Sequence, residues 1–161
     1  MAEVFWAWVG SFIAIGVLAL THYTYLDGTG GVLLIGSFGA SAVLVFGSPA
    51  SPLAQPRNLL GGHLISAMMG VAAAQMLLPA HPVLAAAVAV SFALGAMLVT
   101  ATFHPPGGAT ALVAVIGGDA INGLGWAYLL LPVASGAAML LVVALLVNNL
   151  IPGRRYPYRE G

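Results

Sequence analysis

The stretch FHPPGGATAL places helix breakers and a titratable ring inside a chain that is otherwise strongly apolar. Its prolines end the preceding apolar run, and Pro106 suits the first position of a new helix, where a missing N–H costs nothing. The amides of Gly107 and Gly108 would then lack partners inside that helix. Free amides at a helix N-terminus favour a negative ligand, and glycine lets the ligand approach the backbone. We therefore expect an anion site here, with His104 at its rim and Thr110 as a further donor.

A second polar loop, GSPASPLAQPRNLLGGH, contains the other candidate ligand-binding groups. Pro56 is placed to begin a helix, with Gln55 before it and Arg57 and Asn58 after it. Guanidinium and amide donors at a helix start are suited to binding a small anion. His63 follows about one turn into the predicted span that starts at Leu59, and we count it among the candidate ligand-binding residues.

Each of these features also has a plainer interpretation. Pro-Pro-Gly-Gly forms tight turns, and Arg57 can anchor the topology or bind lipid phosphate. His104 and His63 can be structural, with His63 bonding a neighbouring carbonyl, and Thr110 can bond its own backbone. The sequence leaves these alternatives open.

Metal binding and catalysis are not indicated by the sequence. The chain has four histidines, four acidic residues and no cysteine. No pair of histidines has metal-ligand spacing, no Ser/His/Asp arrangement suggests a nucleophile, and no phosphate-binding loop occurs. We expect no metal, no cofactor and no enzymatic activity.

The composition is that of a membrane protein. Hydrophobic residues make up 61% of the 161 residues and charged residues only 5%, against about a quarter charged in a soluble domain. The formal net charge is zero, so a nucleic-acid partner is not expected. The principal partner of this surface is therefore membrane lipid.

The elements that must position the polar loops are apolar helices, and the expected fold class is an all-α, polytopic transmembrane helix bundle. We expect about five spans plus a short re-entrant half-helix, Pro105 to Gly118, which is too short to cross the membrane. The predicted spans are Val4 to Leu20, Val32 to Gly47, Leu59 to Leu78, Val83 to Phe103 and Trp126 to Val147. Residues 1–151 form one transmembrane domain, and residues 152–161 form a short basic tail.

Two further patterns support a helix bundle in lipid. Small residues four positions apart let helix backbones approach closely, and they occur at Gly62, Ser66, Gly70 and Ala74, at Gly36 and Ala40, at Ser37 and Ser41, and at Ser91 and Gly95. Aromatic residues near span ends predict a membrane-interface belt, formed by Trp6, Trp8, Tyr23, Tyr25, Trp126 and Tyr128.

The segment GASAVLVFGSPASPLAQPRNLLGGHLISAMMG, followed downstream by FHPPGGATAL, resembles the HPP family of integral membrane proteins. That family is named for a His-Pro-Pro motif, present here as His104, Pro105 and Pro106, and the resemblance covers residues 11–150. It implies a bundle of membrane helices. Because members in plastids and cyanobacteria are linked to nitrite transport, the resemblance also implies transport of a small anion.

We therefore expect a membrane transporter or channel for a small monovalent anion, with nitrite as the first candidate. The expected substrate-binding residues are Arg57, Asn58, His104, Gly107, Gly108, Thr110, His63 and Gln55, and the structural motif comprises Pro56, Pro105 and Pro106. The alternatives are a non-transporting membrane scaffold and a transporter of another small solute. Five spans make a thin bundle, so we also expect a homo-oligomer.

Topology follows from the arginines. The tail contains Arg154, Arg155 and Arg159, and the positive-inside rule makes it cytoplasmic. We expect a multi-pass protein of a bacterial inner membrane. With five spans, Arg57 and His104 would lie on the opposite face from the tail. If the predicted half-helix instead crosses, they share the face of the tail.

Overall fold

The computed structural model describes residues 1–26 and 35–158, and these form an α-helical bundle. No β-strand occurs in these two ranges, so the all-α prediction is confirmed. The helices are α1 (Ala2–Thr21), α2 (Gly36–Gly47), α3 (Pro56–Leu77), α4 (Pro82–Val99), α5 (Pro106–Ile116), α6 (Gly118–Asn122) and α7 (Ser135–Leu150).

Four apolar helical stretches are long enough to cross a membrane, and two further apolar helices are shorter. The long ones are Ala2–Tyr25, Pro56–Leu77, Pro82–Val99 and Gly125–Leu150. The expected second span is shorter than predicted, because α2 has 12 residues, or about 18 Å of helix. The beginning of that predicted span, residues 32–34, lies outside the described residues.

Prolines fix the beginning of three helices. Pro56, Pro82 and Pro106 each occupy the first turn of their helix, where the missing N–H breaks no hydrogen bond. Helix α4 ends at Val99, before the predicted Phe103, and Ala101 then has a positive φ of 52°. The residues between α4 and α5 are therefore not helical, and this interruption places His104.

Helix α3 lies at the centre of the bundle, and its small residues contact α5 and the residues just before it. A Cβ added at Gly62 would lie 2.9 Å from the carbonyl oxygen of Thr102, and one at Gly70 would lie 2.5 Å from that of Ala111. Side chains at these two positions would push the backbones apart. The predicted small-residue stripe on α3 is therefore a packing surface.

The path of α5 differs from the expected re-entrant course. Its first residues lie near the end of α4. Beyond its last residue, Gly118 and Asn122 line a cleft together with Leu78 and Pro79, which follow α3. Since α3 and α5 begin at one end of the bundle and their continuations meet at the other, the chain crosses here with the help of α6 and the 3₁₀ turn Gly125–Leu129.

The polar loops and the tail consequently share one end of the bundle. Tyr156 Oη donates to the carbonyl oxygen of Ala54 at 2.7 Å, and the Tyr158 amide donates to Gln55 Oε1 at 2.8 Å. We call the end that contains Arg57, Arg154 and Arg155 the arginine face, and the opposite end the far face. Arg159 lies outside the described residues.

The five-span count, which separates Arg57 from the tail, is therefore wrong, and the alternative in which the segment crosses is confirmed. Part of the predicted tail also packs on the bundle. Tyr156 is 2% exposed, and burial raises the pKa of its phenol, which keeps it a neutral donor.

The aromatic belt is only partly as predicted. Trp8, Tyr23, Tyr25 and Trp126 are exposed, as expected for residues at a lipid interface, whereas Tyr128 is fully buried. The assignment of Tyr128 to the belt is therefore wrong. Its hydroxyl faces the interior of the bundle.

Candidate functional site

A continuous chain of hydrogen bonds runs through the interior of the bundle. His104 Nδ1 lies 2.8 Å from the carbonyl oxygen of Leu53, and His104 Nε2 lies 2.8 Å from Ser41 Oγ. Ser41 Oγ is also 2.7 Å from His63 Nε2, and His63 Nδ1 is 2.7 Å from Thr110 Oγ1. Thr110 in turn donates to Ser37 Oγ at 2.8 Å. We call these five side chains and the Leu53 carbonyl the histidine–serine chain.

Four structural elements meet to form this chain. Ser37 and Ser41 are one turn apart on α2, His63 lies in α3, Thr110 lies in α5, and His104 lies in the interruption between α4 and α5. Residues at i and i+4 share one face of a helix, so both serines point at the same neighbours. The site therefore depends on the packing of α2, α3 and α5 against one another.

The histidine–serine chain is enclosed by protein. Ser41, His63, His104 and Thr110 are each 0% exposed, and Ser37 is 1% exposed. The rings of His63 and His104 lie 5.0 Å apart between centroids, in an edge-to-face arrangement. All four ring nitrogens have a hydrogen-bonding partner, as buried polar groups require.

Close approach of α5 to α3 depends on Gly107. A Cβ at this position would lie 2.6 Å from Ser66 Oγ and 2.9 Å from the carbonyl oxygen of Gly62. A Cβ at the neighbouring Gly108 would meet only Val90 Cγ1, at 3.9 Å. The first glycine of the pair is therefore needed for helix contact, and the second is not.

The amides of these two glycines are not free. The Gly107 amide donates to the carbonyl oxygen of His104 at 2.8 Å, and the Gly108 amide donates to that of Pro105 at 3.0 Å. The expectation of two unpartnered amides is therefore wrong, because the residues before Pro106 already turn tightly enough to accept these bonds. These two amides are therefore not available as free donors to an anion.

Arg57 and Asn58 bond to the interruption after α4. Arg57 is exposed and its Nη2 donates to the carbonyl oxygen of Thr100 at 2.9 Å. Asn58 Nδ2 donates to that of Phe103 at 2.8 Å. Both residues satisfy carbonyl groups that have no helical partner. The structure thus places Arg57 at the surface and His104 in the interior, and does not bring them together.

Gln55 organises the loop at the arginine face. Its Nε2 donates to the carbonyl oxygens of Pro49 and Ser51 at 2.9 Å and 2.7 Å. Its Oε1 accepts from the Tyr158 amide. These three hydrogen-bonding partners of Gln55 are all backbone groups. Of the predicted substrate-binding residues, only His63, His104 and Thr110 belong to the histidine–serine chain.

Four participants were not predicted as site residues. The sequence pattern predicts helix packing for Ser37 and Ser41 and a membrane-interface position for Tyr128, and a backbone carbonyl such as that of Leu53 carries no sequence signal. Tyr128 Oη donates to the carbonyl oxygen of Thr110 at 3.0 Å, so it fixes the helix that presents Thr110. The detectable signal was a pair of hydroxyls one turn apart on a short apolar helix.

The histidine–serine chain contains no fixed charge. The two acidic residues within the described ranges, Glu3 and Asp119, are both exposed, while Asp27 and Glu160 lie outside those ranges. No group of three His, Cys, Asp or Glu side chains gathers within residues 1–26 and 35–158. The interior site therefore offers neutral N–H and O–H groups and two titratable rings.

A cleft opens beside the chain at the far face. It has a volume of about 380 Å³ and lies between the C-terminal halves of α3 and α5, with Gln75 and Asn122 among its polar lining residues. Ala114, also in its wall, is one helical turn from Thr110. The inner end of the cleft is therefore close to the Thr110 end of the histidine–serine chain.

Comparison with known proteins places this architecture in a family. Residues 1–157 match the family described as HPP, transmembrane region. The chain is a member of the HPP family. The resemblance carried by the His-Pro-Pro motif is thereby confirmed, and two of its three residues take part in the site or its helix start: His104 and Pro106.

Two similar proteins come from Dictyostelium discoideum, and both are named only as transmembrane proteins. One is 47% identical over 159 residues, covering 98% of this HPP chain and 51% of its own length. The other is 45% identical over 159 residues, covering 98% and 55%. The chain thus spans about half the length of these relatives. No solved structure matches it.

Proposed function

We propose that this HPP protein is a transporter or channel for a small monovalent anion, with nitrite as the first candidate substrate. The observation that carries the proposal is the histidine–serine chain, a run of buried hydrogen-bonding groups inside an apolar membrane bundle. Polar and ionisable groups are expensive in a membrane interior and are therefore associated with substrate and ion pathways.

The chemistry of the interior favours an anion over a cation. The histidine–serine chain presents hydroxyls and imidazoles and contains no carboxylate. A permeating cation would need carboxylates or clustered carbonyl oxygens. At the arginine face, Arg57, Arg154 and Arg155 make the local potential positive, which raises the concentration of anions there.

The route proposed for the anion runs between the arginine face and the far-face cleft. His63 and His104 are fully buried, so the structure corresponds to a closed state in this proposal. Opening requires α5 or the interruption before it to move away from α3. That contact is formed by Gly62, Gly107 and Ser66.

The positive-inside rule suggests an orientation. With Arg57, Arg154 and Arg155 at one end of the bundle, the arginine face is the cytoplasmic face of this proposal. Arg57 then obeys the rule. The membrane that holds the protein is proposed to be the cell membrane of a bacterium.

A second copy of the chain is the proposed partner. Ser91 and Gly95 are exposed on α4, and a Cβ at Gly95 would meet no atom of this chain. Small residues four positions apart permit close contact between membrane helices. We propose that this part of α4 contacts another copy of the protein.

A non-transporting membrane module is the second candidate function. One observation favours it: within the described ranges, every buried side-chain nitrogen and oxygen has a hydrogen-bonding partner. A fully satisfied network can have a purely structural role, which is to specify one packing arrangement. In that case the HPP bundle would anchor or assemble with another protein.

Flux measurements in proteoliposomes separate the two functions. Purified protein is reconstituted, and uptake of nitrite, nitrate, formate and chloride is measured at two pH values against protein-free liposomes. The transporter proposal predicts saturable uptake of at least one of these anions. If none enters faster than into empty liposomes at either pH, the anion proposal is wrong and the membrane module becomes the better account.

A further inference from the structure

We propose that the histidine–serine chain binds one exchangeable proton, shared by His63 and His104 through Ser41, and that this proton is the coupling ion of the transporter. The part concerning coupling rests on the proposed function. The proton site itself rests on counting donors and acceptors along the chain.

In the hydroxyl arrangement that the structure shows, the two ends of the histidine–serine chain determine which ring nitrogens carry protons. A carbonyl oxygen can only accept, so His104 Nδ1 must carry the proton in its 2.8 Å contact with Leu53. Thr110 donates its hydroxyl proton to Ser37. Its oxygen must therefore accept from His63 Nδ1, which also carries a proton.

The centre of the chain is then one proton short when both rings are neutral. A neutral imidazole has one N–H, so the two Nε2 atoms would both be bare and would both face Ser41 Oγ, at 2.7 Å and 2.8 Å. The serine hydroxyl has a single proton and can donate to only one of them. One additional proton gives every contact in the chain a donor.

Ser41 lets the added proton move between the rings. When His104 carries it, Nε2–H donates to Ser41 Oγ and Ser41 donates to His63 Nε2. Transfer breaks the His104 N–H bond and forms an O–H bond at Ser41, while the original hydroxyl proton forms the new N–H bond at His63. The serine remains neutral and the total number of protons is unchanged.

The histidine–serine chain can also have a donor in every contact without the added proton. If the hydroxyls of Ser37 and Thr110 rotate, Ser37 donates to Thr110 and Thr110 donates to His63 Nδ1. His63 Nε2–H then donates to Ser41, and Ser41 donates to His104 Nε2. All contacts again have one donor, with both rings neutral. The two closed patterns differ by one proton and by the direction of the hydroxyls.

The surroundings limit the histidine–serine chain to one added proton, and residues 1–26 and 35–158 provide no charged partner for it. Phe38 contributes an apolar ring 5.2 Å from that of His63, and Tyr128 Oη is bonded to the Thr110 carbonyl. No charged side chain from α2, α3, α5 or the interruption before α5 has a hydrogen bond to the chain. A second proton would place two cations with ring centroids 5.0 Å apart, which a low-dielectric interior opposes.

An uncompensated imidazolium stabilises a bound anion, and the anion stabilises the imidazolium. This reciprocity is a thermodynamic requirement whenever two ligands favour the same state. The chemical class of the co-transported ligand is therefore a monovalent anion, which neutralises one proton. Coupled movement of the two would be electroneutral.

Histidine protonation provides the direct test. The sequence has four histidines, so the double variant His22→Gln/His81→Gln leaves only His63 and His104. Solid-state ¹⁵N NMR of this protein in lipid vesicles measures the imidazolium fraction between pH 8 and pH 3. The proposal predicts that it rises from near zero to half of the ring population, that is, one proton per pair. No imidazolium, or full protonation of both rings, would overturn it.

Flux of nitrite under a pH gradient tests the coupling. Ser41→Ala removes the shared hydroxyl, and we expect the gradient-driven uptake to fall at least tenfold. Ser135→Ala is the matched control, since this half-buried serine on α7 donates only to the carbonyl oxygen of Pro132 at 3.3 Å, and its uptake should stay within twofold of wild type. Folding of both variants is checked by elution as a single species.

The outcomes separate the proton site from the transport proposal. Uptake that is the same with and without a pH gradient overturns the coupling role and leaves the transporter standing. One titrating proton with no flux of any tested anion overturns the transporter, and coupling with it, while the proton site is established.

Discussion

Replacing Gly107 by alanine measures how closely α5 must pack on α3. The added methyl carbon would lie 2.6 Å from Ser66 Oγ, 2.9 Å from the Gly62 carbonyl oxygen and 3.1 Å from Met97 Sδ. Ordinary contacts of such atoms are about 3.4 Å or longer, so α5 must shift by roughly 0.5 Å or more. The same substitution at Gly108 adds a methyl group without such contacts and is the matched control.

Two opposing terms determine the size of the effect. Overpacking a close-packed interior costs about 1–3 kcal/mol. Alanine in place of glycine favours a helix by up to about 1 kcal/mol, and both variants receive that contribution. The free energy of unfolding of Gly107→Ala should therefore be lower than that of Gly108→Ala by about 1–3 kcal/mol.

Reversible unfolding in mixed detergent micelles measures this difference. A shift of α5 also lengthens the 2.7 Å contact between His63 Nδ1 and Thr110 Oγ1 to about 3.2 Å, the upper limit of a good hydrogen bond. Gly107→Ala should therefore also lose gradient-driven uptake, whereas Gly108→Ala should retain it. Equal stability and equal uptake in the two variants would refute the packing account.

Three other predictions test the surroundings of the site. Arg57→Ala should lower anion uptake by about tenfold or less at low salt and leave it unchanged at high salt, because a surface charge steers ligands and salt screens that charge. Arg57→Lys keeps the charge and should keep the uptake rate. A complete loss of uptake in Arg57→Ala at all salt concentrations would contradict this role. Ala101→Gly should raise the free energy of unfolding by about 0.5–1 kcal/mol, because it relieves the strain of a positive φ. Ala109→Gly in α5 should lower the free energy of unfolding by a similar amount. If both substitutions change the free energy of unfolding in the same direction, Ala101 is not strained. The protein has no cysteine, so an introduced cysteine can report on the α4 interface. Gly95→Cys should form a disulfide-linked dimer in membranes, and Leu94→Cys should not. Equal cross-linking of the two variants would argue against the α4 interface.

The sequence predicted the elements that depend on local chemistry. The starts of α3 and α5 follow from Pro56 and Pro106, because proline both ends an apolar run and suits a first helical position. The small-residue stripe correctly indicated close helix contact. These signals are local, so they need no knowledge of the tertiary structure.

The parts that depend on long-range contacts were predicted poorly. His63 and His104 are 41 positions apart, and only the fold shows that Ser41 lies between them. Treating the segment around α5 as re-entrant changed the number of crossings by one. That single error moved Arg57 to the wrong side relative to the tail, because topology depends on whether the number of crossings is odd or even.

The anion site at the helix start failed for a local reason. The glycine amides were expected to be free, but His104 and Pro105 already form the turn that accepts their hydrogen bonds. Predicting this required the backbone dihedral angles before Pro106, which the residue types do not determine. The interior site is instead built from side chains that appeared to have only packing roles.

The number of protons that enter with each anion tests the central claim most directly. A pH-sensitive dye inside the proteoliposomes and a nitrite assay on the same vesicles give both quantities during one uptake experiment. The histidine–serine chain predicts one proton per nitrite, and uptake that is insensitive to membrane voltage. Nitrite entry without proton entry, driven by voltage alone, would contradict it.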